Sequence, residues 1–221
     1  MVHVYEVSSR KRNPFGFSLG VNGWLVLVTA VLFLVSLFFS SGFVEKYLAI
    51  DPFYILQGKY LWTFLTSIFM HANFFHLFVN MLSLVFIGGL IQKILGPKRY
   101  IWFYLISGIV GGLFFVLFYL ISGNTTNVPA VGASGALFGL IGLLMLLTPN
   151  LPVYIMFIPI PIKMKYAAPG ILILLWAISI AGNVPIGNMA HLGGLIAGLG
   201  YGFYLKKKYK NKTRMISKRF S

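Results

Sequence analysis

Apolar residues crowd six stretches of the chain, roughly 20–41, 74–94, 100–122, 134–148, 168–182 and 187–205, and polar or Gly/Pro-rich segments separate them. A helix that crosses a bilayer needs about 20 mostly apolar residues. The pattern therefore predicts six spans, of which the fourth and fifth are short. Prolines 149, 152, 159, 161 and 169 forbid one continuous helix through those two. "GNVPIGN" (182–188) is a turn-rich break before the sixth. Segment 42–73 is different: "DPFYILQGKYLWTFLTSIFMH" (51–71) is rich in aromatics and leucine, which predicts an amphipathic piece lying in the membrane interface.

Composition supports this pattern. The 221 residues are 58% hydrophobic and only 10% charged, and mean hydropathy is +0.87. A soluble domain carries about 25% charged residues. The expectation is an all-α polytopic membrane protein, a single six-helix bundle. There is no cysteine, which excludes a disulfide framework, a thiol nucleophile and a Cys-based metal site.

A net charge of +15 suggests nucleic acid until the positions are read. Lys and Arg fall at 10–12, 93, 98–99, 163, 165 and in a run from Lys206 to Arg219; only Lys46 and Lys59 lie elsewhere, beside Glu45 and Asp51. With the N-terminus inside, all the uncancelled basic residues border the cytoplasmic side. The charge thus reads as topology and predicts no nucleic-acid partner. It gives a cytoplasmic segment 1–19, a membrane domain 20–205 and a basic cytoplasmic tail 206–221. The tail has a second reading, attraction to anionic lipid headgroups. About eighteen polar residues precede the first span without a small-residue cleavage site, so no cleavable signal is predicted. The expected location is a prokaryotic cell membrane.

Polar residues inside spans are costly and face the bundle interior. The second span carries His76 and Asn80 at i, i+4 on one helix face, continued by Ser83, with His71 just before. The fourth opens with Ser134 in "VGASGALFG", and the sixth carries His191 in "AHLGGLIAG". A serine at a helix start is explained by an N-cap alone, and a lone membrane histidine can be structural. The glycines argue for more. Gly135, Gly139 and Gly142 share a face of the fourth span; Gly187, Gly194, Gly198 and Gly202 share one with His191. Small residues at this spacing let helices approach closely. That approach would bring Ser134 and His191 within hydrogen-bond reach.

Elimination narrows the chemistry. His71 and His76 are five apart with no acid between them, which does not make a zinc site. The only acids, Glu6, Glu45 and Asp51, lie outside the spans, which excludes a carboxylate pair and the third member of a triad. What remains is a Ser134–His191 dyad needing no metal and no cofactor. Oxyanion donors would be His76, Asn80 and the Ser134 N–H at a helix start, with His71 in support.

"HANFFHLFVN", "GASG" and "AHLGGLIAG", in this order on the second, fourth and sixth spans, resemble the rhomboid intramembrane serine proteases in their basic six-helix form, over about residues 20–205. The resemblance implies a Ser134–His191 dyad, oxyanion support from His76 and Asn80 with His71 close by, and Phe138 packed on His191. Gly132 and Gly135 would keep the approach to the serine open. It implies substrates that are transmembrane segments of other proteins, admitted between the second and fifth helices, with loop 183–190 as a lid. Two positions depart from the family pattern: Thr63 follows Trp62 where arginine is common, and Gln92 stands where glutamate is common.

The fifteen residues from Ser134 to Thr148 make a helix about 22 Å long at ~1.5 Å per residue, in a hydrocarbon core about 30 Å thick. This predicts a serine below the external surface, reached through a wet pocket. Two other functions compete. A non-cutting relative that binds membrane clients would usually lack the serine or the histidine. A transporter would show inverted halves with broken helices, which the chain lacks.

Overall fold

The computed structural model describes residues 19–123, 129–154, 160–183 and 186–220. The chain begins with α1 (Val21–Ser36), followed by three short helices, α2 (Ser41–Tyr47), α3 (Pro52–Ile55) and α4 (Thr63–Thr66). α5 (Phe74–Ser83) runs through a π-helical turn, Leu84–Gly88, into α6 (Gly89–Leu95). Next come α7 (Pro97–Ser122), α8 (Ser134–Leu147), strands β1 (Pro152–Val153) and β2 (Ile162–Lys163), α9 (Met164–Ala181), α10 (Asn188–Lys208) and α11 (Lys210–Arg219).

The chain is a multi-span helical bundle. Three helical runs are long and apolar enough to cross a membrane, Phe74–Leu95, Pro97–Ser122 and Met164–Ala181, and Val21–Ser36 and Ser134–Leu147 are shorter apolar helices. α10 is long, but its last turn carries Lys206, Lys207 and Lys208. The first span is shorter than expected. The Ser36 hydroxyl donates to the Phe33 carbonyl, and Ser40 then caps a new helix by accepting from the Phe43 N–H, so the apolar Leu37–Phe39 form a corner. The piece of segment 42–73 expected to be amphipathic is a series of short helices. Gly58 (φ 74) and Tyr60 (φ 53) break it into short pieces. The tail, expected only as a charge run, folds as α11.

The core is built around α8. From Gly135 to Leu144 every residue is buried, and no residue of this helix is exposed. α7 and α10 flank it closely. A Cβ on Gly194 would strike the Gly135 carbonyl, and one on Gly198 the Gly139 carbonyl. A Cβ on Gly142 would lie 2.5 Å from the Leu195 carbonyl oxygen. Gly111 of α7 closes the triangle, its Cβ position 2.7 Å from the Ala190 carbonyl oxygen. Outer faces carry Trp24, Trp102, Ile173 and Phe203, all exposed, as lipid-facing surfaces require.

One polar hub ties α1 to this frame. The Asn22 N–H donates to Gln92 Oε1 (2.6 Å), and Asn22 Nδ2 donates to the Leu84 carbonyl (2.9 Å). The Tyr100 hydroxyl donates to Asn22 Oδ1. A π turn displaces carbonyls from their usual i+4 partners, and the Asn22 amide supplies a donor there. Every polar group of Asn22 is thereby satisfied away from water, where an unpaired group is costly.

Candidate active site

Ser134 is the first residue of α8, and Ala133, not Ser134, occupies the cap position. The capping explanation of the serine therefore fails. Its Oγ lies 2.7 Å from His191 Nε2. The His191 ring stacks on Phe138, one turn past the serine, at 4.6 Å and 18°. Gly194, one turn past His191, packs against the Gly135 carbonyl and holds the two helices at this separation. His191 is buried, and its Nδ1 has no hydrogen-bond partner among the described residues. The ring is oriented by packing on Phe138 rather than by an acid.

His76 sits in the first turn of α5, which Asn73 caps by accepting from the His76 N–H (2.8 Å). Its Nδ1 accepts a long hydrogen bond from the Ala72 N–H (3.5 Å). That arrangement leaves the proton on Nε2. Gly132 shows where Nε2 faces. A Cβ there would lie 2.9 Å from His76 Nε2 and 3.7 Å from Ser134 Oγ. Gly132 has φ 130, a conformation that side-chain-bearing residues rarely adopt. The empty Cβ position is thus a small space bounded by an imidazole N–H, the serine hydroxyl and the start of α8. The first N–H groups of a helix have no intrahelical acceptor. Ser134, Gly132 and His76 are each half-buried, so this space is not sealed.

Asn80 lies one turn beyond His76, buried, with Nδ2 donating to the His76 carbonyl (2.9 Å). His71 precedes α5 and is packed edge-on to His76 at 5.0 Å and to Phe33 at 6.5 Å. Burial above all, with His76 beside it, pushes its pKa down to about 3. Ser83 ends α5 where the π turn begins.

The segment before the serine is held by contacts the sequence did not announce. Ile50 and Ala130 exchange two backbone hydrogen bonds, each 2.9 Å, and the Gly132 N–H donates to the Ser67 carbonyl (2.9 Å). Segment 42–73 therefore braces the serine loop. The Thr63 side chain is buried there. Gln92 meets the Asn22 N–H with an amide oxygen, and a glutamate could accept the same bond. A cavity of about 290 Å³ opens between α7, α9 and the start of α10, lined by Phe115, Phe118, Trp176 and Met189 among others. Neither Ser134 nor His191 lines it, so it is not the wet pocket expected. The expected lid, loop 183–190, includes residues 184 and 185, which lie outside the described residues.

The fold is a membrane bundle with a hydrogen-bonded serine and histidine between two of its most closely packed helices. Residues 58–208 match the Rhomboid domain, and the chain belongs to the rhomboid family. It is 39% identical over 176 residues to RHOMBOID-like protein 1 of Arabidopsis thaliana, covering 77% of this chain and 41% of that protein. It is 30% identical over 180 residues to the mitochondrial Rhomboid protein 1 of Saccharomyces cerevisiae, covering 78% and 49%. It is 36% identical over 146 residues to Inactive RHOMBOID-like protein 8 of Arabidopsis thaliana, covering 65% and 38%. The chain thus spans half or less of the length of these relatives. Family and helices together define an integral membrane protein. These relatives are eukaryotic, one of them mitochondrial by name, and lend no support to the prokaryotic cell membrane expected from the sequence.

Proposed function

We propose that the chain is an intramembrane serine endopeptidase whose nucleophile is Ser134 and whose base is His191. The observation that carries this reading is the 2.7 Å contact between Ser134 Oγ and His191 Nε2. With Nε2 as acceptor, the serine hydroxyl donates to it, and the imidazole is placed to take that proton as Oγ attacks a scissile carbonyl carbon. The carbonyl oxygen gains negative charge. The space in front of Gly132 would receive it, facing His76 Nε2–H and the N–H groups at the start of α8. Asn80, one turn beyond His76 on α5, would add a second side-chain donor for the same charge. His191 then passes its proton to the leaving amine. Water, deprotonated by the same ring, hydrolyses the acyl-serine.

The substrates would be transmembrane segments of other membrane proteins, reached from the end of the bundle where α8 begins. Helix-breaking Gly or Pro near the cut site should help, because a helical backbone hides its carbonyls from attack. Both termini would be cytoplasmic. α11, with Lys210, Lys212, Arg214, Lys218 and Arg219, would lie against anionic headgroups there. Loss of anionic-vesicle binding on deleting 210–221 tests that part.

A second reading is a non-cutting, client-binding rhomboid, and the similarity to a relative named inactive keeps it in view. Cleavage of a panel of labelled transmembrane substrates by purified protein in proteoliposomes separates the two. The protease reading requires products that disappear in Ser134→Ala, and Ser134-dependent labelling by a fluorophosphonate. Full activity in Ser134→Ala would sink the dyad.

A further inference from the structure

Four aromatic rings meet on the segment that braces the serine loop. Tyr60 is their hub, with centroids 5.1 Å from Tyr47, 5.2 Å from Tyr54 and 5.3 Å from Trp62, all edge to face. It reaches this position only by adopting φ 53, which is uncommon for any residue but glycine, asparagine or aspartate. The Trp62 indole N–H donates to the Tyr47 carbonyl (2.9 Å) and fixes the group to the end of α2. A strained backbone that serves to assemble a surface cluster points to a use for the cluster.

Lys46 sits in the last turn of α2, with its Nζ 5.3 Å above the Tyr47 ring and 5.9 Å above the Tyr54 ring. Tyr47 first, then Tyr60 and Tyr54, hold its pKa above the ordinary value, and no carboxylate contributes. Asp51 is committed elsewhere, accepting from the Phe53 N–H (2.9 Å) at the start of α3. Glu45 precedes Lys46 on α2 but is not among the groups that hold its charge, so among the described residues this half-buried ammonium is backed by tyrosines and by no carboxylate. Phe43 beside Tyr47 and Phe53 beside Tyr54 are exposed, and Tyr and Trp favour the depth at which headgroups lie.

We propose that Lys46, with Tyr47, Tyr54 and Tyr60, binds the phosphodiester headgroup of a membrane phospholipid in the leaflet on the Ser134 side of the bundle. The ammonium supplies the charge and a charge-assisted hydrogen bond. The tyrosines confine the ammonium to one place, so that less freedom is lost when the phosphate arrives. The flanking apolar side chains meet the glycerol and upper acyl region. Charge complementarity selects the occupant: the site offers one cation, and a phosphodiester carries one negative charge.

The test uses the full chain in detergent, titrated with dioleoylphosphatidylcholine and read by native mass spectrometry. A zwitterionic lipid is chosen because the basic α11 attracts anionic ones through net charge. One retained phosphatidylcholine is expected, weakened about tenfold by Lys46→Gln and kept by Lys46→Arg. Glycerophosphocholine should compete, whereas dioleoylglycerol, with the same chains and no phosphate, should not. Retention by Lys46→Gln at the unaltered affinity would overturn the proposal, as would equal displacement by dioleoylglycerol. Displacement by an acidic peptide more readily than by glycerophosphocholine would overturn it in favour of a protein partner.

Discussion

Gly194 lies against the carbonyl of Gly135, so closely that no side chain fits between them. These two residues flank the catalytic candidates, Gly135 directly after Ser134 and Gly194 one turn after His191. The backbone contact sets the separation at which the serine and histidine meet at 2.7 Å.

Gly194→Ala should therefore damage fold and site together. The added methyl must push α10 away from α8, a strain of about 1–3 kcal/mol, and the Ser134–His191 bond lengthens with it. Gly200→Ala, on the same helix with nothing within 4 Å of its Cβ position, is the control. It should be neutral or slightly stabilising. Thermal unfolding in detergent and fluorophosphonate labelling of Ser134 read the two effects separately.

Gly132→Ala should act on chemistry more than on folding. Its methyl would sit 2.8 Å from His76 Cε1 and fill the space assigned to the oxyanion. Removing an oxyanion donor costs about 10²–10³ in rate, and a similar loss in turnover is expected here. The left-handed backbone adds about 1–2 kcal/mol of destabilisation. Substrate binding, measured with a non-cleaved transmembrane peptide, should change far less than turnover.

Asn22→Leu should loosen α1. The Leu84 carbonyl and the Tyr100 hydroxyl would both lose their partner in the interior, a cost of about 2 kcal/mol or more. Gln92→Leu should destabilise through the Asn22 N–H, while Gln92→Glu, which keeps an acceptor, should not. Denaturation of the three variants side by side gives the order directly.

His71 predicts an acid-labile fold. Its folded pKa is lowered from 6.5 to about 3, so the folded state resists the proton that the unfolded state accepts. Its contribution is complete above about pH 6.5 and is lost as pH falls toward 3, at roughly 1.4 kcal/mol per pH unit. His71→Leu should flatten the decline between pH 6 and pH 4 in a stability–pH profile.

Most of the bundle was legible because membrane helices must be long, apolar and internally hydrogen-bonded. The contact between Ser134 and His191 was legible because polar residues in spans are few and the glycine faces of 135–142 and 194–202 pair them. Helix ends were less legible: Leu37–Phe39 are apolar, yet Ser36 and Ser40 turn the chain there. The π turn left no mark in "LVFIG", and the donor that meets its Leu84 carbonyl, Asn22 Nδ2, lies 62 residues away in the chain. Asn22 itself was a visible signal, a polar residue inside a span. The brace between Ile50 and Ala130 is backbone to backbone and is written in no side chain.

Burial of α8 on every side has a mechanical consequence. Helices in contact with lipid tilt or shift when their apolar length and the surrounding hydrocarbon disagree. α8 meets protein along its whole length, so that mismatch has no direct grip on it. α9, whose buried residues Met164, Ala167 and Ala168 all lie in its first turns, can tilt to follow a thicker or thinner bilayer, while the depth of Ser134 stays set by its neighbours on α7 and α10. If the chain cuts as proposed, the position of the cut along a substrate is measured from the protein rather than from the lipid, and should hold steady as acyl-chain length is varied.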